Sequence, residues 1–416
     1  SSEMEYRRCG KTDWMVSAVC LGGHWKRVNQ MVPGVFKSHS WLSANLDDPG
    51  FQKNRYDVVT RCIERGINYI DACTGAEIQA YSKALEGRRD QMYLGWSWYE
   101  REARSKQQCT GDAIMAFPGE MGGHVTHHSA GCAGLYGLDI HPVPYDAARM
   151  TIDLERLAKE ARRIKPKLIT LAGSLCLFPY PVAEVRAIAD EVGAYVLYDA
   201  AHMGGMIAGK RFQDPLREGA HLMTMSTYKA FGGPPSGLLV SADEELARRI
   251  DAIAFPGMTA NFDLGKTAAL LMSVLDLLEY GETYADTCLS NAKSLAKALE
   301  AEGFAVHGVD GQGHTQSHHL ALHAAPLGGG QAASKRLAEA NILLCGIGLP
   351  IDPVEGDLNG IRIGTQEITR QGMGANAMAE IARLMARLWL HGERAEAVRK
   401  DVIDFRRGYQ ELVFVR

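Results

Sequence analysis

Apolar and polar positions along this chain follow two rhythms. Short apolar runs at 16–23 (VSAVCLGG), 67–72 (INYIDA) and 92–96 (MYLGW) predict strands, and 54–66 and 76–87 between them carry helical spacing, so the chain opens β-α-β-α-β. The alternation resumes after Cys109. Strands are predicted at 167–173 (KLITLAG), 194–200 (AYVLYDA), 222–227 (LMTMST) and 237–242 (GLLVSA), with a helix over 182–193. Such alternation predicts α/β layers around a mostly parallel sheet. From 264 to 302 the pattern is almost wholly helical, and a smaller α+β part follows, with strands at 318–324 (HHLALHA) and 360–364 (GIRIG) and two closing helices. The stretch PLGGGQ at 326–331 reads as a loop. The expected divisions are an incomplete β/α segment over 1–108, a large domain over 109–265, and a small domain with its linking helix over 266–416.

Composition narrows the classes of function. The chain has 416 residues, enough for two or three domains, and 45 basic against 49 acidic residues leave a net charge of -4. That balance offers nothing to a polyanion, so nucleic acid is not an expected partner. Nine cysteines show neither metal-ligand pairing nor the density of a secreted scaffold, which points to a reducing, cytoplasmic setting. No apolar run reaches the roughly 18 residues of a membrane helix, and SSEMEYRRCG does not read as a signal peptide.

Candidate chemistry gathers after residue 110. Lys229 sits in STYKAFGGPPSG (226–237) with no other residue of fixed charge between Glu218 and Asp243, which marks it as a candidate for a desolvated amine. Asp199 ends an apolar strand, where open α/β sheets bind ligands. A buried carboxylate there needs a cationic partner, and a protonated pyridine nitrogen supplies one. A dry lysine amine that forms a Schiff base, with a carboxylate on the far ring nitrogen, is the pairing that makes pyridoxal phosphate an electron sink. Each residue also has a plainer reading: Lys229 as an ordinary lysine, Asp199 as a helix cap, His202 as a satisfied core histidine, Arg362 as a structural ion pair. The histidines of HVTHH (124–128) and HTQSHHLALH (314–323) admit a metal, but no carboxylate or cysteine stands beside them, and alternating strand positions explain the second group.

From about Thr110 onward the chain resembles serine hydroxymethyltransferase, a fold-type I pyridoxal-phosphate enzyme. The resemblance rests on GDAIMAF, GGHVTHH, ARRIKPKLI, IADEVGAYVLYDAAHMGGMIAG, STYK, AFPG and NGIRIGTQEITRQGM, in that order. It implies that Lys229 is the Schiff-base lysine and that Asp199 meets the pyridine nitrogen. It also implies that His202 lies near the ring hydroxyl, that His124 stacks on the ring, that Ser174 and Thr227 add hydrogen bonds, and that Arg362 clamps the substrate carboxylate. The activity it implies is Cα–Cβ cleavage of serine, α-methylserine or threonine in a homodimer or homotetramer, with tetrahydrofolate as acceptor if serine is used. The chain departs from the family at Tyr228, usually histidine, at Pro235, usually arginine, and in FPGMTANFD (255–263).

Residues 1–108 lack the family's phosphate loop. Instead they resemble the opening β/α units of an aldo-keto reductase barrel. Asp71 stands where that family keeps a catalytic aspartate, but Ala76 replaces the tyrosine and Ser97 lies near where the lysine should be. DACTGAE (71–77) is the nearest substitute for a phosphate cradle. The chain therefore reads as a composite joined near Cys109. An NADPH-dependent oxidoreductase and a catalytically silent scaffold are the alternatives in other classes.

Overall fold

A computed structural model describes residues 4–8, 15–18, 20–22, 47–72, 75–96, 111–259 and 262–416. The chain divides into two compact units, Ser1–Gln108 with Phe255–Ala260, and Cys109–Ala254 with Asn261–Arg416. Ser97 and the junction near Cys109 lie outside the described residues, as do Cys73 and Thr74 of the DACTGAE stretch.

In the first unit Leu21–Gly22, Tyr69–Ala72 and Tyr93–Trp96 form a three-stranded parallel sheet, and Tyr6–Arg8 pairs antiparallel with Met15–Ser17. Helices Pro49–Glu64 and Gly75–Ala84 accompany the parallel strands. Val59, Ile70, Tyr81, Leu85 and Met92 bury themselves in a core of their own. The first helix starts five residues earlier than apolar spacing indicates. Asp48 accepts the Phe51 N–H and Pro49 occupies the first turn, a start signal that periodicity does not contain. Asp71 is exposed on its strand.

The second unit is built on a six-stranded sheet in the order Gly237–Val240, Leu222–Ser226, Tyr195–Asp199, Leu168–Ala172, Ala113–Ala116, Asp139–Pro142. Every neighbouring pair is parallel except the first, which closes one edge antiparallel. Met115, Phe117, Ile169, Leu171, Val196 and Tyr198 are fully buried in its core. The chain then enters one long helix, Leu264–Glu302, which Asp263 caps at its start and Gly303, at φ 103°, ends in the left-handed region.

A three-stranded antiparallel sheet follows, with Gly360–Gly364 between His319–His323 and Cys345–Ile347. Leu320, Leu322, Ile361 and Ile363 pack with Leu384 and Met385 of helix Ala375–Trp389 in a second cluster. Helix Ala395–Arg407 closes the fold. Of the stretch expected as a loop, Gly328 does form a turn and Gly329 is irregular, whereas Gly330 and Gln331 begin helix Gly330–Glu339. Its first N–H groups, on Gln331 and Ala332, are met by the carboxylate of Asp357, a cap supplied from far along the chain that local sequence does not show.

Candidate active site

Parallel register places the two central side chains. Asp199 is the last residue of its strand and pairs with Thr224 of the next, and Lys229 follows that second strand by three residues, so both emerge at the same carboxyl edge. Asp199 is 5% exposed, and its Oδ1 accepts the Ala201 N–H at 2.9 Å. Lys229 is half-buried. Burial lowers the pKa of its amine, Asp199 opposes that shift, and Arg362 adds to it. The ammonium therefore gives up its proton more readily than a surface lysine does.

The glycine-proline bend after Lys229 is pinned on several sides. Thr227 is fully buried; its N–H reaches Ser236 O at 3.0 Å, and its Oγ1 lies 2.5 Å from Pro234 O and 3.0 Å from Ser236 O. The hydroxyl thus fastens the bend. Gly232 takes φ 78° and returns its N–H to Lys229 O. From the long helix Tyr284 Oη donates to Ala230 O at 3.0 Å, and Ser273 Oγ to Gly232 O at 3.2 Å. Tyr228 is 53% exposed, and the Lys229 Nζ lies 5.8 Å from its ring centroid.

His124 enters from the turn Gly122–Gly123. A Cβ on Gly123 would fall 1.9 Å from Phe117 O, so only glycine lets this turn close. The His124 Nδ1 accepts the Thr126 N–H at 3.3 Å and lies 2.9 Å from Thr126 Oγ1, which leaves Nε2 as the protonated nitrogen. Burial lowers its pKa; Asp199 opposes this, while Lys229 and Arg362 reinforce it. The same turn holds Ser174, whose N–H donates to Gly122 O at 2.6 Å.

Arg362 reaches the site from the middle strand of the small sheet. Its Nη1 donates to Ser174 O at 2.5 Å and lies 3.2 Å from the buried His202 Nε2. A guanidinium has only donors, so His202 Nε2 is the acceptor and its ring is neutral. Burial and then the Arg362 charge hold the His202 pKa far below the ordinary imidazole value. Asp199, Lys229, His124, His202 and Arg362 thus share one electrostatic environment, and Ser174 joins through its backbone.

Two histidines of HTQSHHLALH, which the sequence explains only as alternating strand positions, belong to the same neighbourhood. His319 packs edge-on against His202 with ring centroids 5.2 Å apart, and His318 lies 4.2 Å from His319. The doublet HH at 318–319 was visible, but its place against Arg362 depends on a crossing of segments far apart in sequence. Among the described residues no three His, Cys, Asp or Glu converge as metal ligands. The arrangement offers an acid to hold a cationic ring nitrogen, an amine with lowered proton affinity, and a guanidinium placed for a carboxylate.

A family model described as serine hydroxymethyltransferase matches residues 107–385. An α-methylserine aldolase from Variovorax paradoxus is 51% identical over 338 residues, covering 81% of this chain and 75% of the relative. A serine hydroxymethyltransferase from Pyrococcus abyssi is 44% identical over 312 residues, 73% of each chain. Among solved structures, an L-threonine transaldolase from Pseudomonas fluorescens superposes with a TM-score of 0.67 at 24% identity, over 92% of this chain and 82% of that one. This last likeness is one of fold.

Proposed function

The chain belongs to the serine hydroxymethyltransferase family, and on that footing we propose a pyridoxal-phosphate enzyme that cleaves or forms the Cα–Cβ bond of a small β-hydroxy amino acid. The observation that carries this reading is the pair Asp199 and Lys229 at one carboxyl edge of adjacent parallel strands, with Arg362 within their field. The residues fit the cofactor. Asp199 is buried with one oxygen held by a backbone N–H and has the charge to keep a ring nitrogen protonated. Lys229 supplies the amine that the cofactor aldehyde requires, with the flat imidazole of His124 beside it.

The bound cofactor supplies a place for the electrons left when Cα loses its bond to Cβ. The chain's own residues do the rest. Arg362 holds the substrate carboxylate by two parallel N–H donors, which anchors the substrate in the site. His202, neutral and facing Arg362, keeps the guanidinium aimed. Lys229 Nζ, half-buried and with lowered proton affinity, would hold the cofactor aldehyde and, as a free amine, can take up and return a proton. Thr227 fastens the Lys229 bend, and Ser174 contributes its carbonyl to the Arg362 seat.

Aldolase relatives at 46–52% identity, against 44% for the hydroxymethyltransferases, support α-methylserine as substrate, cleaved to alanine and formaldehyde. Transfer of the one-carbon unit from serine to tetrahydrofolate is the second reading, supported by those hydroxymethyltransferase relatives. Aldehyde release from α-methylserine, serine and threonine, measured with and without tetrahydrofolate, tests both. We expect release from α-methylserine without folate. Turnover only of serine, and only with folate, would establish the second reading, and no release from any substrate would indicate a silent scaffold. We read residues 1–108 as opening β/α units like those of an aldo-keto reductase barrel, a reading supported by their parallel strands and intervening helices. NADPH-dependent carbonyl reduction would be needed to assign them chemistry. We further propose a cytoplasmic homodimer or homotetramer, and no helix among the described residues is long and apolar enough to cross a membrane.

A further inference from the structure

The turn that carries the Arg362 acceptor is backbone that should not hold its shape alone. Ala172 has φ 62° and Gly173 φ 145°, so two successive residues leave the ordinary regions just before Ser174. Such a turn persists only when its surroundings over-determine it. One set of restraints comes from Gly122 O, which accepts both Ser174 N and Leu175 N. The other comes from the strand-entry segment 315–319. Gln316 N donates to Leu177 O at 2.8 Å, Ser317 Oγ to Cys176 O at 2.5 Å, and Cys176 N to the Nδ1 of His319 at 3.4 Å. The His319 backbone N–H in turn donates to Ser317 Oγ at 3.0 Å.

His319 therefore touches both halves of the Arg362 seat. Its Nδ1 accepts from the turn whose Ser174 carbonyl receives the guanidinium, and its ring makes a T-shaped contact with that of His202, which receives the same Nη1. His319 is 1% exposed, and His318, tilted against it, is fully buried with neither ring nitrogen partnered. An apolar ring would have filled these places at lower cost in unpaired polar atoms. An acceptor at the His319 Nδ1 has a use that an apolar ring lacks.

We propose that His319 is a positioning residue for the substrate carboxylate: by holding the 174–177 turn and His202 together it sets the direction in which Arg362 presents its guanidinium. The inference rests on the reading of Arg362 as the carboxylate clamp. It concerns binding geometry only, so bond-breaking itself should be nearly indifferent to it.

The test compares His319→Phe, which keeps ring volume without the acceptor, with His319→Asn, whose Oδ1 occupies the place of Nδ1. Holoenzyme is titrated with an amino acid and with the matching amino alcohol that lacks the carboxylate, and binding is read from the cofactor absorbance. We expect His319→Phe to weaken the amino acid about tenfold, the scale of one lost or misaimed hydrogen bond to a charged group. It should leave the amino alcohol unchanged and kcat within about twofold. His319→Asn should restore the amino acid. Should His319→Phe fail to fold, His319→Gln, with its acceptor displaced by one methylene, is expected to lose the amino acid selectively. Equal weakening of both ligands, no change in either, or failure of Asn to rescue overturns the proposal. Arg362→Gln in the same titration separates the two levels. If it leaves the preference for the carboxylate intact, the clamp reading itself falls; if it abolishes the preference while His319→Phe does not, only the role of His319 falls.

Discussion

Asp199 and Lys229 owe their places to strand register in the six-stranded sheet, whereas Arg362 and His202 owe their alignment to contacts that cross between the two sheets. Register is set by many backbone bonds at once, and a single side-chain change rarely disturbs it. The crossing contacts are few: one carbonyl, one imidazole nitrogen and a turn with unusual dihedrals. The chemistry of the site should therefore fail only when its own reacting groups are removed. Its aim at the substrate should be open to damage from residues that never touch the substrate.

Removing a reacting group is the largest effect expected. Lys229→Ala should lower cleavage on the order of a thousandfold or more, the scale at which loss of a covalent nucleophile is felt, while the fold survives. Initial rates on α-methylserine, with circular dichroism as the control, check this; near-normal turnover would remove the strand-borne pair from the mechanism. Arg362→Lys keeps the charge and loses the fork, so it should raise the KM roughly ten- to a hundredfold with a smaller change in kcat. If kcat falls instead, the clamp acts in the bond-breaking step and the division drawn above is wrong. Gly123→Ala is the next smaller test. The new Cβ would meet Phe117 O, a backbone atom, at 1.9 Å, so the turn bearing His124 must shift at a cost of about 1–3 kcal/mol. A lowered thermal midpoint is expected, and an unchanged one would show the turn to be pliable.

The last effect is confined to acid pH. Burial, and then the Arg362 charge, hold the His318 pKa at about 3 in the folded protein. A histidine whose folded pKa is depressed below its unfolded value of about 6.5 contributes its full share of stability above that value. The share is lost as pH falls from there toward the folded pKa, because the unfolded chain takes up the proton first. His318→Leu should flatten the fall in unfolding free energy, read from urea denaturation, between about pH 6.5 and pH 4, by up to about 1.4 kcal/mol per pH unit. An undiminished fall would place the acid sensitivity elsewhere, first with the buried His202 and His319, whose pKa values burial also lowers.

The same contrast explains what could be read from the residues alone. The strands ending in Asp199 and preceding Lys229, the helix over 264–302 and the strand bearing Arg362 all announce themselves through local apolar spacing, and the structure finds them within a residue or two. Strand Asp139–Pro142 and helix Gly330–Glu339 do not. The first is a short run containing His141 and Pro142, and the second opens on glycines and takes its cap from Asp357. His319 stayed hidden for a related reason. Its importance lies in a bond to Cys176, 143 residues away, and nothing in HTQSHHLALH encodes that crossing. Residues that act at strand ends are legible, and residues that act by bracing a distant turn are not.

The central claim is that one cofactor joins Lys229 and faces Asp199. Borohydride reduction of the holoenzyme followed by peptide mapping tests it most directly. A pyridoxyl label on the single peptide containing Lys229, with loss of the visible band, is the predicted result. A label on any other lysine, or cofactor that remains bound yet is not fixed by reduction, would contradict it.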